Sequence, residues 1–151
     1  MIDVMCEPGD LLPIATIECL AESFSSVCRH LSESCDVAID DVTILIVSHV
    51  RICELHDQFF DDPSPTDVIT FPAEDSDERR QICGDIAICL DVARDQAGEV
   101  GHSVIAEMVF LGIHGLLHLM GWDDRDSDDR ARMLQRQSDL MAYAGPMIGS
   151  A

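Results

Sequence analysis

The chain has 151 residues, of which 29 are acidic and 9 basic, so its formal net charge at pH 7 is −20. A chain of this length is expected to form a single domain, residues 1–151, around a hydrophobic core. Its negative charge repels phosphate backbones at long range and argues against broad binding to DNA or other nucleic acids. A cleft that a bound metal makes locally positive is not excluded.

The chain carries no pattern typical of secretion or of membrane insertion. Its first residues lack a basic start and are interrupted by Asp3, Glu7 and Asp10, which does not fit a signal peptide. No apolar run reaches the length of a membrane span. The seven cysteines are odd in number and form no CxxC pair, which indicates reduced thiols. These features predict a cytoplasmic protein that does not contact a membrane.

The first half of the chain alternates between strand and helix patterns. The hydrophobic spacing predicts, in chain order, a strand at residues 1–6, a helix at 11–32, a buried strand at 42–47 and a helix at 49–60. Two prolines and several polar residues then predict a loop at 61–65.

The alternation continues after this loop. A strand is predicted at residues 68–71, a charged turn at 74–80 and a second strand at 82–90. A helix over 91–98 follows, and Asp91 is expected to be its N-cap.

The last two predicted helices differ in character. The helix at 103–120, with Ser103 as its N-cap, is apolar nearly all round, which predicts a central, buried helix. The helix at 127–143 is polar except for the residues expected to face inward, which are Met133, Leu134, Leu140 and Met141. A loose tail is predicted at 145–151. The mixture predicts an α+β fold with a small mixed sheet and surrounding helices.

The central helix carries a candidate metal site. His114 and His118 lie four residues apart and therefore share one helix face. Two neutral imidazoles facing a core each need a partner, and a shared metal satisfies both. Gly121 can end the helix in a left-handed conformation, after which the chain can return a carboxylate as third ligand. Three ligands with an open fourth position are typical of catalytic zinc. Gly115 replaces the glutamate of HExxH, so the metalloprotease pattern lacks its general base.

Three motifs in order resemble those of the YbeY family. Residues 114–124 read HGLLHLMGWDD and resemble the family's H-G-x-L-H-L-x-G-[YF]-D-H. Residues 65–72 read PTDVITFP and resemble P-T-D-V-L-S-F-P, while residues 84–89 read GDIAIC and resemble G-D-I-x-I-S. The resemblance runs from about residue 40 to residue 141.

The resemblance implies an α+β fold and one bound metal, zinc, held by His114, His118 and Asp124. It implies a metal-dependent, single-strand-specific endoribonuclease in which His114 and His118 serve catalysis through the metal. The implied role is ribosomal RNA processing at the 3′ end of 16S rRNA and ribosome quality control. The implied partners are ribosomal RNA and the small ribosomal subunit.

The chain departs from the family at the third ligand. Asp124 stands where the family has histidine, and a carboxylate oxygen raises tolerance for manganese, iron or nickel. The added negative charge also makes the metal a weaker Lewis acid. Asp123 or Asp126 could serve as the ligand instead if the loop is rebuilt.

A second departure lies in the loop before Pro65. Many members carry arginine and lysine there, in a stretch like Y-R-G-K-D, where this chain has Phe60 and Asp62. Such cations hold phosphate or stabilise charge in the transition state, so their loss bears directly on RNA cleavage. The candidates to replace them are Arg51, Arg79, Arg80 and Arg94.

Two other functions fit the sequence. One is a metal hydrolase of a small or peptide substrate, which suits the acidic surface. The other is a non-catalytic ribosome-assembly protein that keeps the metal for stability, and exposure of Phe59 and Phe60 would favour a protein-binding edge. Thr66 and Asp67 either support the metal helix by hydrogen bonding or simply form a turn and the start of a strand.

Overall fold

The structure, a computed structural model, describes residues 2–73 and 81–145. The predicted turn at 74–80, with Arg79 and Arg80, and the tail beyond Gly145 lie outside the described residues.

Helices and strands appear where the sequence predicts them, with shifted ends, the largest shift being at β2, which begins at Ala38 and not at residue 42. In chain order they are β1 (Ile2–Glu7), α1 (Ile14–Cys35), β2 (Ala38–Val47), α2 (His49–Phe60), β3 (Val68–Pro72), β4 (Gln81–Cys89), α3 (Leu90–Val100), α4 (Val104–Leu119) and α5 (Ser127–Leu140), followed by a short 3₁₀ turn (Met141–Tyr143).

The four strands form one mixed sheet in the order β1-β2-β4-β3. β1, β2 and β4 run parallel, and β3 pairs antiparallel with β4 at the edge. This confirms the predicted α+β fold with a small mixed sheet. Successive side chains of β2 point to opposite faces: Ile44 and Ile46 join the larger core, while Leu45 and Val47 join a smaller core beneath α2.

α4 is the central helix, as its all-round hydrophobicity predicts. It contacts α1, α3, α5, β3 and β4. Two glycines allow these close approaches, because a Cβ at Gly112 would overlap the ring of Phe24 and one at Gly115 would lie 2.7 Å from Cγ2 of Ile86. Ser103 caps the helix by accepting a hydrogen bond from the backbone N–H of Ala106 at 3.0 Å. α4 therefore has a fixed position against the sheet.

Two expectations about side chains are wrong. Asp91 is not the N-cap of α3, since Cys89 occupies that position without a side-chain hydrogen bond. The Asp91 carboxylate instead accepts a hydrogen bond from the backbone N–H of His49 at 2.9 Å. Leu134 does not face inward but is 43% exposed. The buried stripe of α5 is Met133, Gln137 and Leu140, and Leu134 lies one residue off that stripe.

Across residues 2–73 and 81–145, no single helix has the length and hydrophobicity needed to cross a membrane. The sharply bent pair of α3 and α4 meets that test only when both helices are taken together.

Candidate functional site

The end of α4 brings the three predicted ligands together. His114 and His118 project from one face of the helix, and their Nε2 atoms are 3.0 Å apart. Gly121 has φ +98°, the left-handed conformation expected of it, and the backbone N–H of Trp122 returns to the carbonyl of Leu117 at 2.9 Å. This reversal places Asp124 Oδ2 at 3.4 Å from His114 Nε2 and at 3.6 Å from His118 Nε2.

The other nitrogen of each ring has its own hydrogen-bond acceptor. Nδ1 of His114 donates to Oε1 of Gln137 at 2.8 Å, and Nδ1 of His118 donates to the carbonyl of Trp122 at 3.1 Å. The Gln137 amide is fixed because its Nε2 donates to the carbonyl of Phe110 at 3.2 Å. These acceptors assign the proton of both imidazoles to Nδ1, which leaves both Nε2 lone pairs facing the same point.

This arrangement fits a bound cation. Two unprotonated Nε2 atoms in contact at 3.0 Å repel one another, and a positive ion between them removes the conflict. Donor atoms about 2.0–2.1 Å from a tetrahedral metal are separated by about 3.3–3.4 Å, close to the spacing seen here. All three side chains are partly buried, and their ligand atoms lie within 4.8 Å of one another. His114, His118 and Asp124 are therefore a group that could hold a metal ion.

Gln137 is a site residue that the sequence analysis missed. It is 1% exposed and comes from α5, which is remote in sequence from the histidines. A signal was present, because Gln137 is the one polar residue in the apolar stripe that begins at Met133 and ends at Leu140. A buried amide in such a stripe needs a polar partner.

The two alternative carboxylates are held elsewhere. Asp123 accepts a hydrogen bond from the backbone N–H of Arg125 at 3.2 Å and lies 3.4 Å from the guanidinium of that residue. Asp126 is the N-cap of α5 and accepts from the backbone N–H of Asp129 at 2.8 Å, a bond that lowers the pKa of Asp126. The structure thus brings Asp124 to the two imidazoles, and not Asp123 or Asp126.

The three residues face a cleft of about 340 Å³. Its walls come from β3 with the segment before it and from the last turns of α2, and its lining residues are His56, Phe60, Thr66, Asp67, Val68, Ile69, Thr70, His114, His118 and Asp124. Nδ1 of His56 donates to the carbonyl of Ser64 at 2.7 Å, which holds the ring in place at the cleft wall. Phe60 is 56% exposed.

Thr66 and Asp67 line the cleft, and within residues 2–73 and 81–145 no hydrogen bond joins either side chain to the metal-binding helix α4. The Asp67 carboxylate accepts a hydrogen bond from Nε2 of Gln96 on α3 at 3.3 Å, and its carbonyl accepts from the N–H of Cys89 at 2.9 Å. The described partners of Asp67 therefore lie on α3 and β4, and its main structural effect is to join β3 to them.

The described lining of the cleft contains no arginine. Arg51 pairs with Glu7 and Glu54, and Arg94 lies 3.9 Å from Asp91, so neither candidate points into the cleft. At the family's lysine position, Asp62 accepts hydrogen bonds from the hydroxyl and backbone N–H of Ser64, which lower the pKa of this carboxyl. Both positions that carry cations in many family members are thus uncharged or negative here.

Comparison with known proteins supports the resemblance. A model of the family described as Endoribonuclease YbeY matches residues 14–145. Among curated proteins, the Endoribonuclease YbeY of Acidothermus cellulolyticus is 35% identical over 112 residues, covering 67% of this chain and 68% of the relative. That of a Nocardioides species is 31% identical over 150 residues, covering 93% of this chain and 95% of the relative.

A solved structure agrees in fold along nearly the whole chain. The solution structure of a Thermotoga maritima protein superimposes with a TM-score of 0.66 at 28% identity, covering 95% of this chain and 89% of the other. The family match extends further towards the N-terminus than the motifs at 65–72, 84–89 and 114–124 do. The chain therefore belongs to the Endoribonuclease YbeY family.

Proposed function

We propose that this chain is a metal-dependent endoribonuclease that cleaves single-stranded RNA. The observation that carries the proposal is the convergence of His114, His118 and Asp124 on one point at the floor of an open cleft, in a chain of this family. We further propose zinc as the ion and the cytoplasm as the location. The proposed substrate is the 3′ end of 16S rRNA on the small ribosomal subunit, with a role in ribosome quality control.

Each residue of the site has a separate part in this proposal. His114 and His118 would hold the ion through Nε2, and Asp124 would complete the set through Oδ2. A divalent metal bound there polarises a phosphoryl oxygen or lowers the pKa of a water. Gln137 and the Trp122 carbonyl keep the Nδ1 protons in place, so that both rings present unprotonated Nε2.

The cleft wall supports a single-stranded substrate. His56 and Phe60 are one turn apart on α2, their ring centroids are 5.8 Å apart, and both line the cleft. Single-stranded RNA is recognised largely by bases that stack on aromatic side chains, whereas the bases of a duplex are not free to do so. Since the described lining offers no arginine, stacking and the metal would supply most of the binding.

The test combines metal analysis with a cleavage assay on a precursor that carries the 16S 3′ end. Wild type is expected to cleave the single-stranded segment, and a chelator is expected to stop the reaction. His114→Ala should lose the activity, whereas His30→Ala, which alters a histidine stacked on Tyr143 outside the cleft, should retain it. Cleavage by His114→Ala in the presence of chelator would contradict the proposal.

An interaction role is the second candidate, because Phe59 is 55% exposed. Phe59 lines an apolar groove of about 390 Å³ with Met5, Leu45 and Phe71 on the face of the sheet away from α4. An assembly protein would use such a surface to bind a partner. A chain that binds small subunits normally but does not cleave the RNA would favour this role over the nuclease.

A further inference from the structure

A second group of metal-ligating side chains lies away from the cleft floor. It forms where β2 and β4 end side by side, since Val47 pairs with Cys89 in the parallel ladder and α2 and α3 begin directly afterwards. The ligand atoms of His49, Cys89 and Asp91 lie within 4.8 Å of one another. The carboxyl ends of parallel strands are a common position for ligand sites in α/β sheets.

A second sulfur, that of Cys53, lies beside this group. Cys53 lies one turn after His49 on α2, and its Sγ is 3.8 Å from Nε2 of His49. Cys89 is fully buried, and Cys53 packs, partly buried, in the same small core beneath α2. The His49 side chain therefore lies near one carboxylate and two sulfurs from three different elements, and Cys53 is the member whose ligand atom is not within 4.8 Å of all the others.

The group is held in position by hydrogen bonds of its own. The Asp91 carboxylate accepts from the backbone N–H of His49, which ties the first turn of α3 to the first turn of α2. Ser48 caps α2 by accepting from the backbone N–H of Arg51 at 3.4 Å. Because both helix starts are fixed, His49, Cys89 and Asp91 need little ordering to reach one ion, and Cys53, whose Sγ lies outside their 4.8 Å group, would join them by a change of rotamer.

We propose that His49, Cys53, Cys89 and Asp91 bind a second metal ion, a thiophilic divalent cation of the zinc class. Thiolate ligands select zinc over magnesium or manganese, and four protein ligands without an open position are typical of a structural site. Binding deprotonates two thiols, so one divalent ion enters as two protons leave. The ion would fasten α2, whose last turns carry His56 and Phe60 to the cleft, onto β4 and α3.

Cobalt(II) distinguishes this site from the first one, which contains no sulfur. In reduced His114→Ala/His118→Ala protein, added cobalt is expected to bind at one ion per chain and to give a near-ultraviolet thiolate-to-cobalt band. Cys53→Ser/Cys89→Ser protein should lack the band, while Cys19→Ser/Cys35→Ser, a control pair of partly buried cysteines outside this group, should keep it. Zinc content should be two per chain in wild type and one in each of the first two variants.

The proposal is overturned if the double-histidine variant gives no thiolate band, or if the band persists in Cys53→Ser/Cys89→Ser. A Cys53–Cys89 disulfide found by mass spectrometry in protein kept under reductant would also overturn it. His49→Ala is a milder variant, because His49 is exposed, and it should weaken cobalt binding at this site even if the double serine variant does not fold. None of these readouts measures RNA cleavage, so their outcome is independent of whether the chain is a nuclease.

Discussion

At the scale of single residues, the two histidines depend on acceptors that are themselves fixed. Gln137 is buried, and both ends of its amide are used, one by His114 and the other by the carbonyl of Phe110. The carbonyl of Trp122, which follows the turn at Gly121, accepts the hydrogen bond from Nδ1 of His118. Partners that orient a ligating imidazole commonly change metal affinity by about 10–100-fold when they are removed.

Gln137→Leu should therefore bind the first metal about 10–100-fold more weakly, because His114 loses the acceptor that holds its Nδ1 proton. Competition with a chromogenic chelator measures this affinity. Gln135→Leu is the matched control, since Gln135 lies on the same helix and bonds only the exposed Asp139 among its described partners. Equal affinities for wild type and Gln137→Leu would show that the hydrogen bond does not position His114.

Asp124 sets the kind of metal that the site prefers. A carboxylate oxygen is a harder donor than imidazole, so the wild-type site should accept manganese more readily than a site with three histidines. Asp124→His restores the family's ligand and should shift competition between zinc and manganese towards zinc. Metal analysis after dialysis against both ions measures the shift, with Asp123→His as the control. Asp124→His should hold a clearly higher ratio of zinc to manganese than Asp123→His. Asp124→Ala should lose most of the metal.

At the scale of elements, the sequence predicts the helices and strands well because their hydrophobic spacing is regular. It misses the start of β2, where Ile39 pairs with Ile82 but a bulge follows and Asp41 has φ +55°, which breaks the alternation. It places His114 and His118 because one helix fixes their spacing. It does not find Gln137 or the position of Asp91, because those depend on how separate elements pack.

The packing of α4 against β4 leaves no room for a side chain at Gly115. A Cβ there would lie 2.7 Å from Cγ2 of Ile86, so Gly115→Ala should destabilise the fold by about 1–3 kcal/mol through overpacking. Gly98→Ala on α3 meets nothing within 4 Å and should stabilise the chain by about 0.5–1 kcal/mol. Urea unfolding of both variants measures the difference. A neutral Gly115→Ala would mean that α4 can move away from the sheet.

At the scale of the whole molecule, the protein and its proposed RNA substrate are both negatively charged. The net charge is −20, all nine basic residues are arginines, and none lines the described part of the cleft. RNA approaching this surface is repelled at long range, and attraction is confined to the metal and the aromatic wall. The long-range term is screened by salt, because the Debye length is only about 10 Å at 0.1 M ionic strength.

Salt should therefore affect this chain differently from a basic nucleic-acid-binding protein. We expect the KM for single-stranded RNA to stay level or fall as monovalent salt rises from about 0.05 to 0.2 M, whereas basic proteins lose affinity over that range.

Phe60→Arg restores the family's cation at the cleft wall. It should lower KM at low salt. It should also make the affinity for RNA fall as salt rises, with a slope of about −0.7 for the logarithm of affinity against the logarithm of salt concentration, as expected for one phosphate contact. KM measured at fixed metal concentration tests both, and Phe60→Leu controls for loss of the ring. A wild-type affinity that falls as steeply as that of Phe60→Arg would contradict this prediction, because a cleft whose described lining has no arginine makes no side-chain phosphate contact that releases counterions from the RNA.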